Sequence, residues 1–296
     1  MKFTFYYEKK SPQQIKHFVK EEGISKGLLA AIKFQGGKIS VNGKEENVLY
    51  ELKQGDCLTL MLPIEKAKDH IVDDPAPIDI LFEDEHLLVI NKPPYVPSIP
   101  VKMYPDKTMV NRVSHYYHQQ GYQNDVVHTV TRLDRDTSGV MLFAKHRLSH
   151  AKLDKQLRNK TINKQYFAYV PYVKALKEHG LINQNIARAP HSSMERMVVD
   201  TGGKVALTEY WIQEVWQNYC KVKVQLHTGR THQIRVHFAS LNAPLLGDDL
   251  YGTSSPLIQR QALHCASLTL KHPFTKEQLT FEAQEPEDMK KLKNML

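Results

Sequence analysis

The segment between Glu65 and Pro77 constrains the architecture of this chain more than any other feature. It is rich in charged residues and proline, contains few apolar residues, and separates two stretches with regular apolar patterns. Segments of this composition usually form connections and do not pack into a core. We therefore predict an N-terminal unit over residues 1–64, a linker over 65–77 and a larger domain over 78–296. A length of 296 residues also exceeds what one small core needs.

The N-terminal unit carries signals for two short helices and a hairpin. Ser11 as a cap and Pro12 as the first helical residue predict one helix, and a second is predicted to begin at Ser25. Asn42-Gly43 is a strong hairpin-turn signal. Alternating apolar residues predict strands over 38–41 and 58–62. These elements would form a small α+β module.

From Ile78 onward, the apolar pattern is typical of strands. Strands are predicted over residues 78–82, 86–90, 140–144, 165–170, 206–212 and 221–226, and helices over 147–158 and 231–241. Runs of strands with few helices between them favour the α+β class. We therefore expect a mixed, mainly antiparallel curved sheet with flanking helices.

Composition excludes several classes of protein. A hydrophobic fraction of 41% argues against disorder, and no apolar stretch reaches the roughly 20 residues of a membrane span. The first residues lack the features of a signal peptide. Three cysteines without a CxxC pair are typical of a reducing compartment, so a cytoplasmic location is expected. A formal charge of +8 is compatible with a nucleic-acid partner.

The densest polar cluster runs from residue 131 to residue 139. Its members Arg132, Asp134, Arg135 and Asp136 bring together two carboxylates and two guanidinium groups. An ion-paired turn with a structural role is one interpretation. The other is a functional site in which an ionised carboxylate serves as a nucleophile or a base.

A second cluster, residues 226–237, runs from a predicted strand through Thr228-Gly229 into a predicted helix. Such junctions expose backbone N–H groups that bind anions, and Arg230 and Arg235 add positive charge. The histidines at 227, 232 and 237 are spread around the helix by their five-residue spacing, so no metal site is predicted. The sequence lacks GxxxxGK[ST], GxGxxG, GxSxG and HExxH patterns, and no cofactor is expected.

Taken in chain order, these clusters resemble the RluA/RluD family of RNA pseudouridine synthases. The resemblance covers about residues 78–285 and is carried by Asn91-Lys92-Pro93, Arg132 to Gly139, Lys164 to Ala168 and Thr228 to His237. The N-terminal unit is similar to an S-four-like RNA-binding module. The resemblance implies the pseudouridine synthase fold and the isomerisation of uridines in structured RNA without a cofactor. Large-subunit ribosomal RNA is the preferred substrate, transfer RNA is possible, and a monomer is expected.

The resemblance also implies roles for individual residues. Asp134 matches the aspartate that acts on the target uridine while its glycosidic bond breaks. Tyr166 matches the tyrosine that stacks on the base and is a candidate for proton abstraction, and Arg235 matches the basic residue that pairs with the carboxylate. The expected RNA contacts are Arg132, which would fill the space of the flipped nucleotide, Leu226 beneath the base, and Arg230 and Lys92 as supporting or phosphate-facing groups.

Two positions depart from the family pattern. Thr131 stands where the family usually has histidine, and Pro94 where it often has glycine; both bear on loop geometry and RNA choice. The alternative function is a non-catalytic RNA-binding or ribosome-assembly factor that retains the fold. A carboxylate-based glycosidase ranks below both, because it needs carboxylates on opposite sides of a sugar and Asp134 and Asp136 are only two residues apart.

Overall fold

The N-terminal part of the chain forms a small antiparallel sheet with two helices packed against it. The computed structural model describes residues 1–66, 71–192 and 194–295. The sheet order is β1-β6-β3-β4, and β2 pairs with β5. The elements are β1 (Lys2–Tyr6), β2 (Gln13–Gln14), α1 (Ile15–Glu21), α2 (Lys26–Phe34), β3 (Lys38–Val41), β4 (Lys44–Glu45), β5 (Glu51–Leu52) and β6 (Cys57–Met61).

Local signals predicted two of the three features of this part correctly. Asn42 and Gly43 have φ angles of 49° and 83°, as a two-residue hairpin turn requires. The Ser25 side chain accepts a hydrogen bond from Leu28 N at 3.1 Å and caps α2. The cap predicted at Ser11 is wrong. Helix α1 begins three residues after Pro12, because Gln13–Gln14 pairs with β5 as a strand.

The remainder of the chain builds a ten-stranded sheet with helices against it. Its elements are β7 (Asp79–Glu83), β8 (Leu87–Lys92), α3 (Met109–Gln119), β9 (His128–Thr129), β10 (Ser138–Ala144), α4 (Arg147–Arg158), β11 (Asn163–Pro171), β12 (His179–Asn183), β13 (Asn185–Arg188), β14 (Arg196–Val199), β15 (Leu207–Trp216), β16 (Tyr219–Leu226), α5 (Gln233–Ser240), β17 (Leu263–Lys271), β18 (Gln278–Glu282) and α6 (Glu287–Met295).

The order of the large sheet confirms the predicted fold class. Its main path is β12-β15-β16-β11-β17-β10-β8-β7, with β18 beside β17 and β9 beside β10; β13 and β14 form a separate hairpin. Among the described strands, β10 and β17 are the one parallel pair. Every residue of β10 is buried, which places this strand at the centre of the fold.

Strand β17 brings distant parts of the chain together. Cys265 lies opposite Gly139 of β10 on one side and opposite Tyr166 of β11 on the other. The approach is so close that a Cβ atom on Gly139 would stand 2.2 Å from the Cys265 carbonyl oxygen. The pairing with β11 is irregular between Gln165 and Tyr166, and such bulges re-aim a side chain. Cys265 of β17 thus lies between the start of β10 and Tyr166 of β11.

The N-terminal part packs directly onto the larger part. Leu148 of α4 belongs to the N-terminal core, and the rings of Phe3 and Phe274 stack with centroids 5.3 Å apart. Lys152 Nζ also donates a hydrogen bond to the Glu22 carbonyl at 2.6 Å. These contacts hold the two parts in one fixed arrangement.

The described parts of the predicted linker lie against the larger part. Asp74 forms an ion pair with Arg112 at 3.1 Å, and Asp73 contacts His118 at 2.7 Å; both partners belong to α3. Residues 67–70 of the predicted linker lie outside the described residues. No helix within the described ranges is both long and apolar enough to cross a membrane.

Candidate active site

Asp134 occupies the first position of a tight turn that leads into β10. Its carbonyl oxygen accepts a hydrogen bond from Thr137 N at 3.1 Å, and its side chain is 28% exposed. The carboxylate can therefore be reached from solvent while its backbone is fixed. Arg135 and Asp136 form an ion pair at 2.7 Å within the same turn. Arg135 and Asp136 thus form the ion pair expected for a turn with a structural role. The Asp134 carboxylate faces other groups.

Buried polar groups hold the backbone of this turn. Ser98 Oγ accepts a hydrogen bond from Leu133 N at 3.0 Å and donates one to the Leu133 carbonyl at 2.6 Å. Lys92 Nζ donates to the carbonyls of Pro93 and Arg135 at 2.7 and 2.8 Å. Each contact restrains the path of the chain on one side of Asp134.

Lys92 is fully buried, with an exposed fraction of 0%. Burial lowers the pKa of its ammonium group to about 7, although the carboxylates of Asp136 and Asp134 oppose this effect. A side chain in this position can support the turn, but it cannot reach a phosphate group. Of the two roles expected for Lys92, this placement favours the supporting one over the phosphate-facing one.

Arg235 lies in α5 and has two carboxylate neighbours. Its Nε and Nη2 donate to the two oxygens of Asp248 at 2.7 and 2.8 Å, and both residues are buried. Its Nη1 lies 3.6 Å from Asp134 Oδ2. The structure thus brings Arg235 and Asp134 together, as the resemblance implies, but the stronger bidentate contact is with Asp248.

His232 is a neighbour of Asp134 to which the sequence assigned no role. Its Nε2 lies 3.9 Å from Asp134 Oδ2, and its Nδ1 lies 2.8 Å from the Tyr251 hydroxyl. That hydroxyl also accepts a hydrogen bond from Arg196 N, so Tyr251 links His232 to the backbone of Arg196. Burial lowers the pKa of His232. The ring is therefore neutral near pH 7, and its Nε2 faces Asp134.

Tyr166 closes the site on the side of β11. Its side chain is only 4% exposed and belongs to the main hydrophobic core. Burial raises the pKa of its hydroxyl well above the ordinary value, and Cys265 and Asp134 add to this effect. Tyr166 is thus a neutral phenol near pH 7 and can donate a hydrogen bond.

The remaining predicted residues lie around this centre at different depths. Arg132 is exposed. Leu226 ends β16, is half-buried and packs against the main core. Arg230 is exposed and donates through Nε to the Val205 carbonyl at 2.9 Å. In the described parts of the chain, no group of three or more His, Cys, Asp or Glu residues could hold a metal ion.

Comparisons with known proteins agree with this arrangement. The family model described as RNA pseudouridylate synthase matches residues 86–240. The Bacillus subtilis (strain 168) protein named "Uncharacterized RNA pseudouridine synthase YjbO" is 44% identical over 278 residues, which cover 94% of this chain and 97% of that protein. The Zymomonas mobilis (strain ATCC 31821 / ZM4 / CP4) protein named "Ribosomal large subunit pseudouridine synthase D" is 36% identical over 262 residues, covering 83% and 81%.

A solved structure shows the same fold. "Human RNA Pseudouridylate Synthase Domain Containing 4" matches with a TM-score of 0.58 and 23% identity, over 71% of this chain and 90% of that one. The chain belongs to the RNA pseudouridylate synthase family. It is an RNA pseudouridine synthase, which confirms the resemblance of its sequence motifs to that family.

Proposed function

We propose that this enzyme converts specific uridines of large-subunit ribosomal RNA to pseudouridine, and that Asp134 carries the reaction. The observation behind the proposal is the Asp134 carboxylate, which is accessible, held on a fixed turn, and faced by Arg235 Nη1 at 3.6 Å and by His232 Nε2 at 3.9 Å. An ionised carboxylate can act on the sugar of a bound nucleotide.

The reaction is an internal rearrangement of one nucleotide. The bond between N1 of uracil and C1′ of ribose breaks, the ring turns, and a bond forms between C5 and C1′. The C5 proton is released and N1 gains a proton, so atoms and electrons balance without an external reagent. A uridine inside folded RNA must first leave its stack, at a cost of a few kcal/mol.

Asp134 has two routes to this rearrangement. Its carboxylate can attack C1′ and form a covalent sugar intermediate, or it can remove the C2′ proton so that an unsaturated sugar forms. Deuterium at C2′ separates the two routes. The second route predicts a primary isotope effect on single-turnover rates, whereas the first predicts none of that size.

The other residues of the site receive complementary roles in this proposal. Tyr166 stacks on the detached uracil and donates a hydrogen bond, Arg235 orients the carboxylate, and Lys92 supports its turn. Arg132 is exposed, so it can enter the RNA where the flipped nucleotide stood. Leu226 would lie beneath the base, and Arg230 would face a phosphate group.

The N-terminal unit would bind RNA as an S-four-like module over residues 1–64. A groove along α1 and α2 is lined by Lys16, Lys20, Lys26 and Lys33. The ring of Phe34 is 76% exposed, and Lys33 Nζ lies 4.7 Å from its centroid. Lysines beside an exposed aromatic ring suit a phosphate backbone and an unstacked base.

The choice of ribosomal RNA is supported by relatives named as large-subunit synthases, including those of Zymomonas mobilis and Vibrio parahaemolyticus. Pseudouridine mapping across total RNA of a deletion strain and its complemented control tests this choice. We expect sites in large-subunit RNA to be lost and restored. Loss restricted to transfer RNA would contradict it.

The role of Asp134 is tested by Asp134→Asn, which keeps the volume of the side chain but removes its charge. We expect pseudouridine formation on an RNA transcript to be abolished while RNA binding is retained. Asp154→Asn is the matched control, because Asp154 forms only an exposed ion pair on α4; its turnover should equal that of the wild type. An active Asp134→Asn enzyme, or a wild type that binds RNA without turnover, would refute the proposal.

A further inference from the structure

Arg260 is a buried cation between the turn of Asp134 and the C-terminal helix. Its side chain is 0% exposed. Nε and Nη2 donate to the two oxygens of Asp288 at 2.7 and 2.9 Å. Nη1 donates to the carbonyls of Asp136, Gln261 and Leu263 at 3.0, 3.2 and 3.2 Å. One guanidinium group thus joins α6 to the turn.

Two buried basic side chains therefore hold consecutive carbonyls of this turn. Lys92 Nζ binds the Arg135 carbonyl at 2.8 Å, and Arg260 Nη1 binds the Asp136 carbonyl at 3.0 Å. Thr137 N binds the third carbonyl, that of Asp134. With all three carbonyls engaged, no peptide plane between Asp134 and Thr137 can rotate without the loss of a hydrogen bond.

Stability alone explains this arrangement poorly. Burial of a guanidinium group has a large desolvation cost, and replacing a buried ion pair by apolar residues is often neutral or stabilising. An apolar side chain at position 260 would, however, leave the Asp136 carbonyl without its donor. The planar fork of arginine can bind a carboxylate on one edge and carbonyl oxygens on the other. The structure therefore points to a role in geometry.

We propose that Arg260, held by Asp288 of α6, is a positioning residue that fixes the Asp136 carbonyl and thereby the direction of the Asp134 carboxylate. This inference rests on the proposed role of Asp134. If the turn relaxes, the carboxylate moves relative to Arg235 and to the bound sugar. A displacement of about 1 Å at a reacting group can reduce a rate about 100-fold.

Helix α6 offers a matched control for this inference. Met289 and Leu292 anchor the helix in a small apolar cluster. Lys293 forms a second ion pair of α6, with Glu214 of β15 at 2.9 Å. The pair formed by Asp288 connects to the turn through Arg260, whereas that formed by Lys293 does not. Removing either pair loosens the helix, but only one removal should affect the chemistry.

The test compares Asp288→Ala with Lys293→Ala at a temperature well below both melting points. We expect Asp288→Ala to lower kcat about 10-fold or more with KM within twofold of the wild type, and Lys293→Ala to leave kcat unchanged. Asp288→Glu, which can rebuild the ion pair, should recover most of the lost kcat. If Asp288→Ala does not fold, Asp288→Asn replaces it, with the same expectation.

The inference is overturned if kcat of the Asp288 variants stays within twofold of the wild type, or if Lys293→Ala lowers kcat equally. Asp134→Asn is measured in the same series. An active Asp134→Asn enzyme would mean that the proposed function itself is wrong. An inactive Asp134→Asn enzyme beside a fully active Asp288→Ala enzyme would refute only the positioning role of Arg260.

Discussion

Lys92 is a buried lysine whose pKa is lower than that of a lysine in water. The buried amino group donates two hydrogen bonds to carbonyls, and a neutral amine has enough protons for both. Because burial lowers the pKa to about 7, the folded protein releases this proton between pH 7 and pH 10.5 while the unfolded chain retains it. The contribution of Lys92 to the free energy of unfolding therefore increases with pH in that window.

Lys92→Met tests this linkage. Between pH 7 and pH 9 the increase in unfolding free energy attributable to Lys92 is about 2 kcal/mol, and the variant should lack it. Urea unfolding at pH 7, 8 and 9 measures the difference. Lys155→Met, at an exposed position of α4, is the control and should follow the wild type. Equal pH dependence in wild type and Lys92→Met would contradict the buried environment of this group.

The pair of Arg235 and Asp248 should contribute more to folding than surface pairs do. Removing Asp248 leaves a buried guanidinium charge without its bidentate partner, so we expect Asp248→Ala to destabilise the protein by about 3–5 kcal/mol. Asp154→Ala, which breaks the exposed pair with Arg158, should cost less than about 1 kcal/mol. Urea unfolding measures the loss of stability in both variants. Similar losses would mean that the pair of Arg235 and Asp248 is hydrated.

At the residue scale, the resemblance of the motifs to a known family selected Asp134 and Arg235, which the structure places 3.6 Å apart. The sequence assigned no role to His232, Asp248 or Arg260. Their contacts join residues that lie far apart in the sequence. No spacing rule connects a histidine at 232 or an arginine at 260 with a carboxylate at 134.

At the element scale, the start of α4 contains a histidine that uses both ring nitrogens. His146 Nδ1 accepts a hydrogen bond from Ser149 N at 3.2 Å, so its proton lies on Nε2, which is 3.0 Å from His86 Nδ1. The ring also packs against Phe3 with centroids 5.1 Å apart. Burial lowers the pKa of His146 to about 3, and the nearby His86 adds to this effect. A second proton would remove the cap of α4.

His146 should make the protein less stable in acid. Between pH 6.5 and pH 3 the unfolded chain binds a proton that the folded chain excludes, so the stability present above pH 6.5 is lost as the pH falls. From pH 7 to pH 5 this amounts to about 2 kcal/mol. His146→Asn retains a capping side chain but does not titrate, so its unfolding free energy should fall less over this range.

Urea unfolding at both pH values measures this difference. His191→Asn, at an exposed position, is the control and should follow the wild type. His86 and His150 also have lowered pKa values from burial and contribute to the acid sensitivity of both proteins, so the comparison with the wild type isolates His146. If the loss of stability between pH 7 and pH 5 is the same in His146→Asn as in the wild type, burial does not lower the pKa of His146 as described.

Helix α4 and strand β10 were predicted from the sequence, although every residue of β10 is buried, whereas strands β13, β14 and β17 were not. Helix α4 has the predicted bounds, Arg147–Arg158. Strand β17 was missed because its first three residues, Leu263, His264 and Cys265, are all buried. Burial on both faces removes the alternation on which the strand pattern depends. The hairpin of β13 and β14 was missed because each strand has only four residues, too few to show a clear alternation.

At the scale of the whole molecule, part of the net charge of +8 is concentrated along the groove proposed for RNA. Lys26 and Lys33 lie at the two ends of α2, along the groove proposed for RNA. Each lysine that neutralises a phosphate releases counterions, which makes binding weaker as salt concentration rises. The N-terminal part that carries this groove packs against α4 through Leu148.

A double variant tests the groove. In Lys26→Ala/Lys33→Ala, the slope of log affinity against log salt should become shallower by roughly 1 to 2, while kcat at saturating RNA is unchanged. Lys290→Ala/Lys291→Ala on α6 removes equal charge elsewhere and should leave the slope as it is. If both variants alter the slope equally, RNA affinity depends only on the net charge of the protein, and the groove is not a binding site.

The position of β17 also has a consequence for protein synthesis. Strands β10 and β11 are separated in the sheet by a strand that begins at Leu263, so a nascent chain must be translated beyond this strand before β10 and β11 can be joined. Until then, β10 and β11 each present an unpaired edge, which is a template for aggregation. A ribosome that stalls before β17 has been translated would release a chain with an incomplete sheet, which chaperones or proteases could bind.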